Sequence, residues 1–280
     1  MDIKELSKND IISIASNALE EDFGNGDITS SAIIPIETQV KLNMSPRQDI
    51  VLAGLPIAIE IFRRLSESII FSVEAKDGSY LKSGDVIVRL QGPARAILSG
   101  ERTALNIVQT LSGIATLTRT YVECIKNTNA VLLDTRKTIP GLRNASKYAS
   151  RIGGATNHRM RLDDGVLIKD NHIIALGSVS NAIQLAKKAD LKNIEVECDT
   201  LEQVKESLNS GADSLLLDNM STEELVKAVE WVDKRIPLEA SGGVNLSTIR
   251  AIAETGVDYI SVGAITQSAP AVDIGLDFGT

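Results

Sequence analysis

Lysine and arginine residues stand directly after two apolar runs of the sequence, at the points where strands are expected to end. Arg136 and Lys137 follow the run VLL after one Asp-Thr pair, and Lys169 follows VLI. A guanidinium binds planar carboxylate or phosphate groups through two hydrogen bonds, and a lysine ammonium adds a mobile positive charge. These three side chains are therefore predicted to bind an anionic ligand.

The same stretch is a basic island in an acidic chain. Residues 134–172 contain eight Lys or Arg residues and both histidines, whereas the whole chain has 37 acidic and 29 basic residues. His158 beside Arg159 suggests joint recognition of an anion, although a lone histidine is more often structural. A small ligand with several negative charges fits this island.

Other basic residues of the island have a different predicted role. Arg143, Lys147 and Arg151 recur every four residues, which is a helical spacing. Lys147 and Arg151 are therefore interpreted as a solvated helix face. For Arg143 and Arg161, both interpretations stay open: a solvated position or binding of the anionic ligand.

Two carboxylates and two glycine-bearing turns complete the candidate chemistry. Glu197 follows IEV, and Asp218 follows LLL. Such a pair can bind sugar hydroxyls, hold Mg²⁺ or stabilise a cationic transition state, or can simply balance a neighbouring lysine. The turns in LEASGGV (238–244) and SVGAIT (261–266) offer backbone N–H groups to a phosphate.

An alternation of short strands and helices must position these residues. From about residue 130, short apolar runs alternate with amphipathic stretches, a pattern typical of parallel strands joined by crossover helices. The strand candidates are 130–135, 165–170, 193–198, 212–219, 236–241 and 257–264. Because α/β barrels assemble their active sites at the carboxyl ends of strands, the polar residues that follow the runs should share one mouth.

The first part of the chain is predicted to be a separate α+β layer. Its expected elements are a helix at 9–21, a loop at 24–30, a strand at 38–45, a helix at 55–65, strands at 69–75 and 86–91, and a helix at 93–127. We expect an amino-terminal domain over 1–110 and a barrel domain over 111–280, whose final residues could return to the first domain.

Composition excludes several classes of function. The net charge of −8 argues against a nucleic-acid surface, which needs a broad basic face. The chain has no apolar run of bilayer length, and its start does not have the pattern of a signal peptide. Cys124 and Cys198 lack metal-site spacing and are expected to be reduced. The expected location is the cytoplasm.

Nine ordered blocks of the sequence resemble the quinolinate phosphoribosyltransferase family. The blocks are EDFGNGDITS (21–30), ERTALNIVQTLSGIAT (101–116), DTRKTIPGLR (134–143), GGATNHR (153–159), LIKDNH (167–172), EVE (195–197), LLLDNM (215–220), EASGG (239–243) and TGVDYISVGAIT (255–266). Ala155, Ser146 and Arg161 depart from the family's usual residues without removing a matched charge. The resemblance implies an incomplete TIM-like α/β barrel with an amino-terminal α/β sandwich domain.

The resemblance also implies roles for individual residues. In the family's pattern Lys137, Glu197 and Asp218 are catalytic, and the two carboxylates lie near ribose and metal. The substrate-binding positions that match are Arg102, Thr135, Arg136, Lys137, His158, Arg159, Lys169, Glu197, Asp218, Ser241, Gly242, Gly243, Val262, Gly263 and Ala264. The implied assembly is a homodimer in which Arg102 reaches the other subunit's site.

The implied reaction converts quinolinate and phosphoribosyl pyrophosphate, with Mg²⁺, into nicotinate mononucleotide, pyrophosphate and CO₂. A non-decarboxylating transferase for nicotinate or another pyridine carboxylate is the alternative. A third hypothesis comes from residues 77–92, which resemble the hammerhead of biotinyl or lipoyl carrier domains. A structural hairpin is the preferred interpretation there, because no lysine lies at a tight turn between methionines.

Overall fold

The chain forms two compact units in the computed structural model, which describes residues 5–279. The amino-terminal unit contains the chain up to Arg119, residues 139–154 and the chain from Ser268 on. The barrel unit contains residues 120–138 and 155–267. The predicted boundary near residue 110 stays a prediction, and the first four residues of the predicted amino-terminal domain lie outside the described range.

The amino-terminal unit combines helices with an antiparallel sheet. Its elements are α1 Lys8–Phe23, α2 Ile28–Ile33, β1 Gln39–Pro46, β2 Ile50–Val51, α3 Leu55–Leu65, β3 Ile70–Val73, β4 Tyr80–Leu81, β5 Val88–Pro93, the part of α4 Ala94–Cys124 up to Arg119, α5 Arg143–Gly153 and β12 Ile274–Phe278. Four strands form a sheet in the order β12-β1-β5-β3, and β2 pairs with β4. The end of the chain therefore returns to pair with β1.

The start of α3 is defined by a glycine, a proline and the side chain of Asp77. Gly54 adopts a φ of 93°, and Pro56 stands in the first helical turn. The carboxylate of Asp77 accepts the N–H groups of Gly54 at 2.7 Å and of Leu55 at 3.1 Å. Such a carboxylate satisfies donors that have no partner inside the helix. The helix spans the predicted residues 55–65.

The barrel unit is a parallel sheet with connecting helices. Its elements are β6 Val131–Leu133, β7 Val166–Ile168, α6 Asp170–Leu176, α7 Val179–Lys188, β8 Ile194–Cys198, α8 Leu201–Ser210, β9 Ser214–Asp218, α9 Thr222–Val232, β10 Leu238–Ser241, α10 Ile249–Glu254, β11 Tyr259–Ser261 and α11 Ala264–Gln267. The six strands pair in the order β6-β11-β10-β9-β8-β7. The predicted incomplete α/β barrel is confirmed.

Local caps mark where helices of the barrel unit begin and end. Ser221 and Glu224 form a capping box at the start of α9, as their spacing predicts. Thr200 and Gln203 form another at the start of α8. Gly256, which follows α10, has a φ of 98°, a conformation that glycine adopts without strain.

The structure corrects the prediction for the helix face in α5. Lys147 is fully buried rather than solvated. Arg151 is half-buried, and its guanidinium lies 5.9 Å from the centre of the Tyr148 ring. The helix approaches α4 so closely that a Cβ on Gly153 would lie 2.4 Å from Thr118. Residues 145–150 are all buried, so α5 is enclosed on every side along this stretch and has no solvated face there.

Two smaller expectations also change. The stretch predicted as a loop at 24–30 contains the start of α2, because Asp27 accepts the N–H of Ser30 at 2.9 Å as its cap. The hairpin expected at residues 77–92 is not formed, because β4 and β5 belong to two different sheets of the amino-terminal unit. Every helix within residues 5–279 is too short or too polar to cross a membrane.

Candidate active site

The register of the barrel strands brings the predicted polar residues to one rim. Ile168 pairs with Val196, which places Lys169 beside Glu197. The Lys169 ammonium contacts the Glu197 carboxylate, which is only 9% exposed. Ser241 pairs with Asp218 one strand further along. We call Arg136, Lys137, Arg159, Lys169, Glu197 and Asp218 the mouth set.

Two arginines of the mouth set lie close enough to repel each other. Burial and the nearby Arg136 both lower the pKa of Arg159, although Glu195 and Asp164 oppose the shift. The guanidinium of Arg159 donates to the carbonyl of Gly165 at 2.9 Å. Cations held together in this way are stabilised when an anion lies between them. The pair is therefore suited to bind a carboxylate or a phosphate.

Lys137 is held at the end of β6 by its own backbone. Its N–H donates to Thr135 Oγ1 at 3.0 Å, and its carbonyl accepts the hydroxyl of Thr266 at 2.7 Å. A Cβ on Gly263 would lie 2.8 Å from the Lys137 side chain. The exposed Lys137 ammonium can thus reach a ligand beside the turn that contains Val262, Gly263 and Ala264.

The other glycine turn follows β10 directly. Gly242 and Gly243 adopt φ angles of 85° and 61°. A Cβ on Gly242 would lie 2.3 Å from Asn219 Oδ1 and 2.7 Å from the Asn219 nitrogen, whereas Gly243 faces open space. The backbone is bent tightly against the end of β9, which leaves room for a phosphate at the Gly243 side.

The carboxylates of Glu197 and Asp218 have the chemistry of a magnesium site. Glu197 is the last residue but one of β8, and Asp218 ends the neighbouring β9. Asp218 accepts the side-chain N–H of Asn219 at 2.6 Å. Mg²⁺ is commonly bound through one or two carboxylates, with water and substrate phosphates as the remaining ligands. The two side chains fit that coordination.

A second set of ionisable groups lies deeper in the barrel. His158 Nε2 is 3.2 Å from Glu195 Oε2 and 3.4 Å from Glu239 Oε2. The side chains of His158 and Glu195 are each 14% exposed, and that of Glu239 is 3% exposed. Because Glu195 and Glu239 precede Glu197 and Ser241 by two residues, they share the inward face of their strands one step below the rim. We call His158, Glu195 and Glu239 the floor cluster.

The contacts of His158 define its hydrogen bonding. Burial lowers the pKa of His158, but the hydrogen bonds with Glu195 and Glu239 outweigh burial and raise it. The Arg159 backbone N–H donates to Nδ1 at 2.7 Å, which requires that nitrogen to be unprotonated. With Nδ1 as an acceptor, the ring proton lies on Nε2 and points to the carboxylates.

The floor cluster also has the composition of a metal site, with three possible ligand atoms within 4.8 Å of one another. A metal on Nε2 would need the lone pair of that nitrogen, which the proton occupies in the observed hydrogen-bonding pattern. We therefore interpret the cluster as hydrogen-bonded. Sequence reasoning did not pair His158 with Glu195 and Glu239, although two acids at alternate positions of an apolar strand could have indicated an inward-facing pair.

Two further predicted basic residues are exposed. Arg102 is exposed on α4, in the amino-terminal unit. Arg161 is exposed in the barrel unit, and its guanidinium donates to Asp163 at 3.0 Å. The environment of Arg161 favours solvent exposure over ligand binding.

Comparisons with known proteins agree along nearly the whole chain. Residues 27–112 and 114–277 match the models of the quinolinate phosphoribosyl transferase N-terminal and C-terminal domains. A probable carboxylating nicotinate-nucleotide pyrophosphorylase of Bacillus subtilis (strain 168) is 44% identical over 259 residues, covering 92% of this chain and 89% of the relative. The solved pyrophosphorylase of Francisella tularensis has a TM-score of 0.94 at 38% identity, covering 100% of this chain and 99% of that one. The Ehrlichia chaffeensis structure has a TM-score of 0.93 at 44% identity, covering 99% and 100%.

Proposed function

The chain belongs to the quinolinate phosphoribosyl transferase family, and we propose that it transfers the phosphoribosyl group of phosphoribosyl pyrophosphate to quinolinate. The products are nicotinate mononucleotide, pyrophosphate and CO₂, as in the de novo synthesis of NAD. The carboxylating pyrophosphorylases that are similar to this chain over more than nine-tenths of its length support this reaction.

The observation that carries the proposal is the arrangement of the mouth set. Arg136, Arg159 and Lys169 concentrate positive charge where the strands end, as a pyridine with two adjacent carboxylates requires. Glu197 and Asp218 lie on neighbouring strands, where they can face a ribose. The glycine turn after β10 offers N–H groups to a 5′-phosphate. One end of the mouth thus suits a dicarboxylate and the other a phosphorylated sugar.

The chemistry follows from these positions. The ring nitrogen of quinolinate forms a bond with C1 of the ribose as the bond from C1 to pyrophosphate breaks. Positive charge develops on the ribose, and Glu197 and Asp218 stabilise it, while Lys137 offsets the charge of the departing pyrophosphate. The ring nitrogen is then cationic and stabilises the electron pair that remains on C2 when the 2-carboxylate leaves as CO₂, and a proton then binds to C2 through that pair. Cations around the 3-carboxylate hold the ring in place.

We propose that Mg²⁺ is required, with Glu197 and Asp218 as the residues that would hold it through water and substrate oxygens. When bound, the ion supplies charge neutralisation on the pyrophosphate. The carboxylate chemistry at the mouth supports this assignment.

The two free cysteines, Cys124 and Cys198, are consistent with the proposed cytoplasmic location.

A homodimer in which Arg102 serves the partner's site is also a proposal, supported by the exposure of Arg102. Its test is complementation between two inactive variants, Arg102→Ala and Lys169→Met. If Arg102 acts across subunits, a mixed dimer has one site with both residues intact, and mixing restores activity. If mixing restores no activity although mixed dimers form, Arg102 acts within its own chain.

Turnover of the purified protein tests the reaction itself. With quinolinate, phosphoribosyl pyrophosphate and Mg²⁺, mass spectrometry should detect nicotinate mononucleotide and equimolar CO₂. Nicotinate in place of quinolinate should be a poor substrate. Absence of product refutes the proposal, and equal turnover of nicotinate without CO₂ would instead indicate the non-decarboxylating alternative.

A further inference from the structure

The segment that carries His158 and Arg159 is held between strands rather than within one. Thr156 forms a single parallel bridge with Leu133 of β6. Next along the chain, the buried Asp134 accepts the side-chain N–H of Asn157, and its Oδ1 accepts the backbone N–H of His158 at 2.9 Å. These contacts fix the backbone up to His158. They leave the direction of the imidazole, and of the chain beyond it, to other groups.

The direction of the imidazole is set from two strands that are not neighbours. Glu195 reaches His158 Nε2 from β8, and Glu239 reaches it from β10, with β9 between them in the sheet. Nε2 carries a proton in both the charged ring and the neutral tautomer that accepts at Nδ1. The carboxylates therefore hold the ring in either state.

The other ring nitrogen connects this arrangement to the mouth. The backbone N–H of Arg159 donates to His158 Nδ1 at 2.7 Å. The Arg159 side chain then donates to the Gly165 carbonyl and lies near Arg136. The orientation of the ring thus constrains the residue that brings a guanidinium to the mouth.

We infer that Glu195 and Glu239 are positioning residues for the acid substrate, acting through His158 on Arg159. The inference rests on the proposed function, because it identifies the acid as the ligand of Arg159. Neither glutamate needs to touch the substrate. Their role is to keep His158, and with it the start of Arg159, in the orientation that the anion requires.

The cluster is poorly suited to a role in stability alone. Within residues 5–279, Glu239 Oε1 has no hydrogen-bond partner although the side chain is 3% exposed. A buried group left unsatisfied costs free energy, and an apolar side chain of similar volume often serves stability as well or better. Two acids around one histidine are therefore explained better by a function in orienting the ring than by stability.

The surroundings of the ring include open space on the side of the two carboxylates. A cavity of about 270 Å³ adjoins His158 and is lined by Ser214, Pro237 and Tyr259 as well as by the two glutamates. Tight packing does not hold the ring on that side. The hydrogen bonds to Glu195 and Glu239 are therefore restraints on the ring that mutation can remove.

Kinetics of three variants test the inference. Glu239→Leu and Glu195→Leu remove the acceptor, whereas Glu239→Gln keeps an oxygen for the Nε2 proton. We expect the leucine variants to raise KM for quinolinate about tenfold, with KM for phosphoribosyl pyrophosphate changed less than about twofold. Glu239→Gln should recover most of the loss. Glu254→Gln, which alters an exposed pair with Arg250, is the matched control and should change neither constant.

Two results would contradict the positioning role of the glutamates. If both KM values rise together in proportion to a fall in melting temperature, the glutamates support the fold only. If a leucine variant does not fold, a methionine at the same position, which also removes the acceptor, replaces it and is judged by the same split between the two KM values. Unchanged constants in folded leucine variants would refute the positioning role.

Nuclear magnetic resonance tests the geometry independently of activity. The chain has two histidines, so a His172→Asn variant assigns the ring signals of His158. In the unliganded protein we expect a slowly exchanging Nε2–H resonance that is lost in Glu195→Leu/Glu239→Leu. Its absence from the wild-type protein would overturn the inference even if the enzyme turns over quinolinate. Its presence without turnover would leave the geometry standing and remove the proposed function.

Discussion

The mouth set and the floor cluster contain similar residue types, yet their surroundings differ. The Lys169 side chain is 44% exposed and contacts the Glu197 carboxylate, so its ammonium remains accessible to a ligand. His158, one step deeper, lies between two carboxylates with its other nitrogen occupied by Arg159. The comparison indicates that a charged side chain can bind a ligand where it is accessible to solvent. Where such a side chain is enclosed, it holds its neighbours in a fixed orientation. The barrel has one layer of each kind.

The largest expected effect comes from removing a mouth cation. Lys169→Met should lower kcat/KM for quinolinate by about 100-fold or more, because an aligned positive charge in a partly buried site is lost. Lys192→Met is the matched control, since Lys192 forms an exposed pair with Asp190. Steady-state assays measure both variants. An activity loss in Lys169→Met no greater than in the control would show that the mouth does not recognise the acid by charge.

A pair of glycine variants separates steric constraint from backbone strain at the same mouth. Gly242→Ala places a Cβ 2.7 Å from the Asn219 nitrogen, whereas Gly243→Ala meets open space. Both residues have positive φ, so each alanine should cost about 1 kcal/mol of unfolding free energy, and the clash in Gly242→Ala should add roughly 1–3 kcal/mol.

Urea unfolding measures these costs. KM for phosphoribosyl pyrophosphate should rise in both variants, because a Cβ on Gly243 enters the open space left for the phosphate. Equal losses of unfolding free energy in the two variants would mean that the turn can relax away from β9.

The two cysteines test whether the outer side of the barrel strands is closed. Burial raises the pKa of Cys198 to about 12, and Cys124 is half-buried. Thiol reagents attack the thiolate, so at pH 8 we expect one labelled cysteine, Cys124, and labelling of Cys198 only after unfolding. Intact mass after timed labelling gives the count. Rapid labelling of Cys198 would show that β8 opens to solvent.

The smallest expected effect is at Arg161. Its side chain is 71% exposed and pairs with Asp163. An exposed pair of this kind contributes little, so Arg161→Ala should change KM for quinolinate by less than about twofold. A larger increase in KM would add Arg161 to the mouth set.

Much of the barrel was predictable because its patterns are local. Short β-branched runs marked all six strands, although each observed strand is shorter than its run. The capping pair Ser221 and Glu224 fixed the start of α9. Polar residues just after the runs identified the rim, since parallel strands end together. The ligand contacts assigned to those residues stay predictions.

Long-range packing decided what sequence could not show. Lys147 was interpreted as solvated from its spacing, but residues 145–150 are all buried, so α5 is enclosed on every side along this stretch. His158 offered no local indication of its partners, because Glu195 and Glu239 belong to strands that follow it much later in the chain. Their meeting depends on the order of strands in the sheet.

Calorimetric titration of the protein with quinolinate and with nicotinate tests the central claim, that the accessible cations of the mouth recognise a dicarboxylate. The two acids differ by one carboxylate, so the wild-type protein should bind quinolinate about tenfold more tightly or better. Lys169→Met should reduce that preference. Equal affinity of the wild-type protein for both acids would contradict the account.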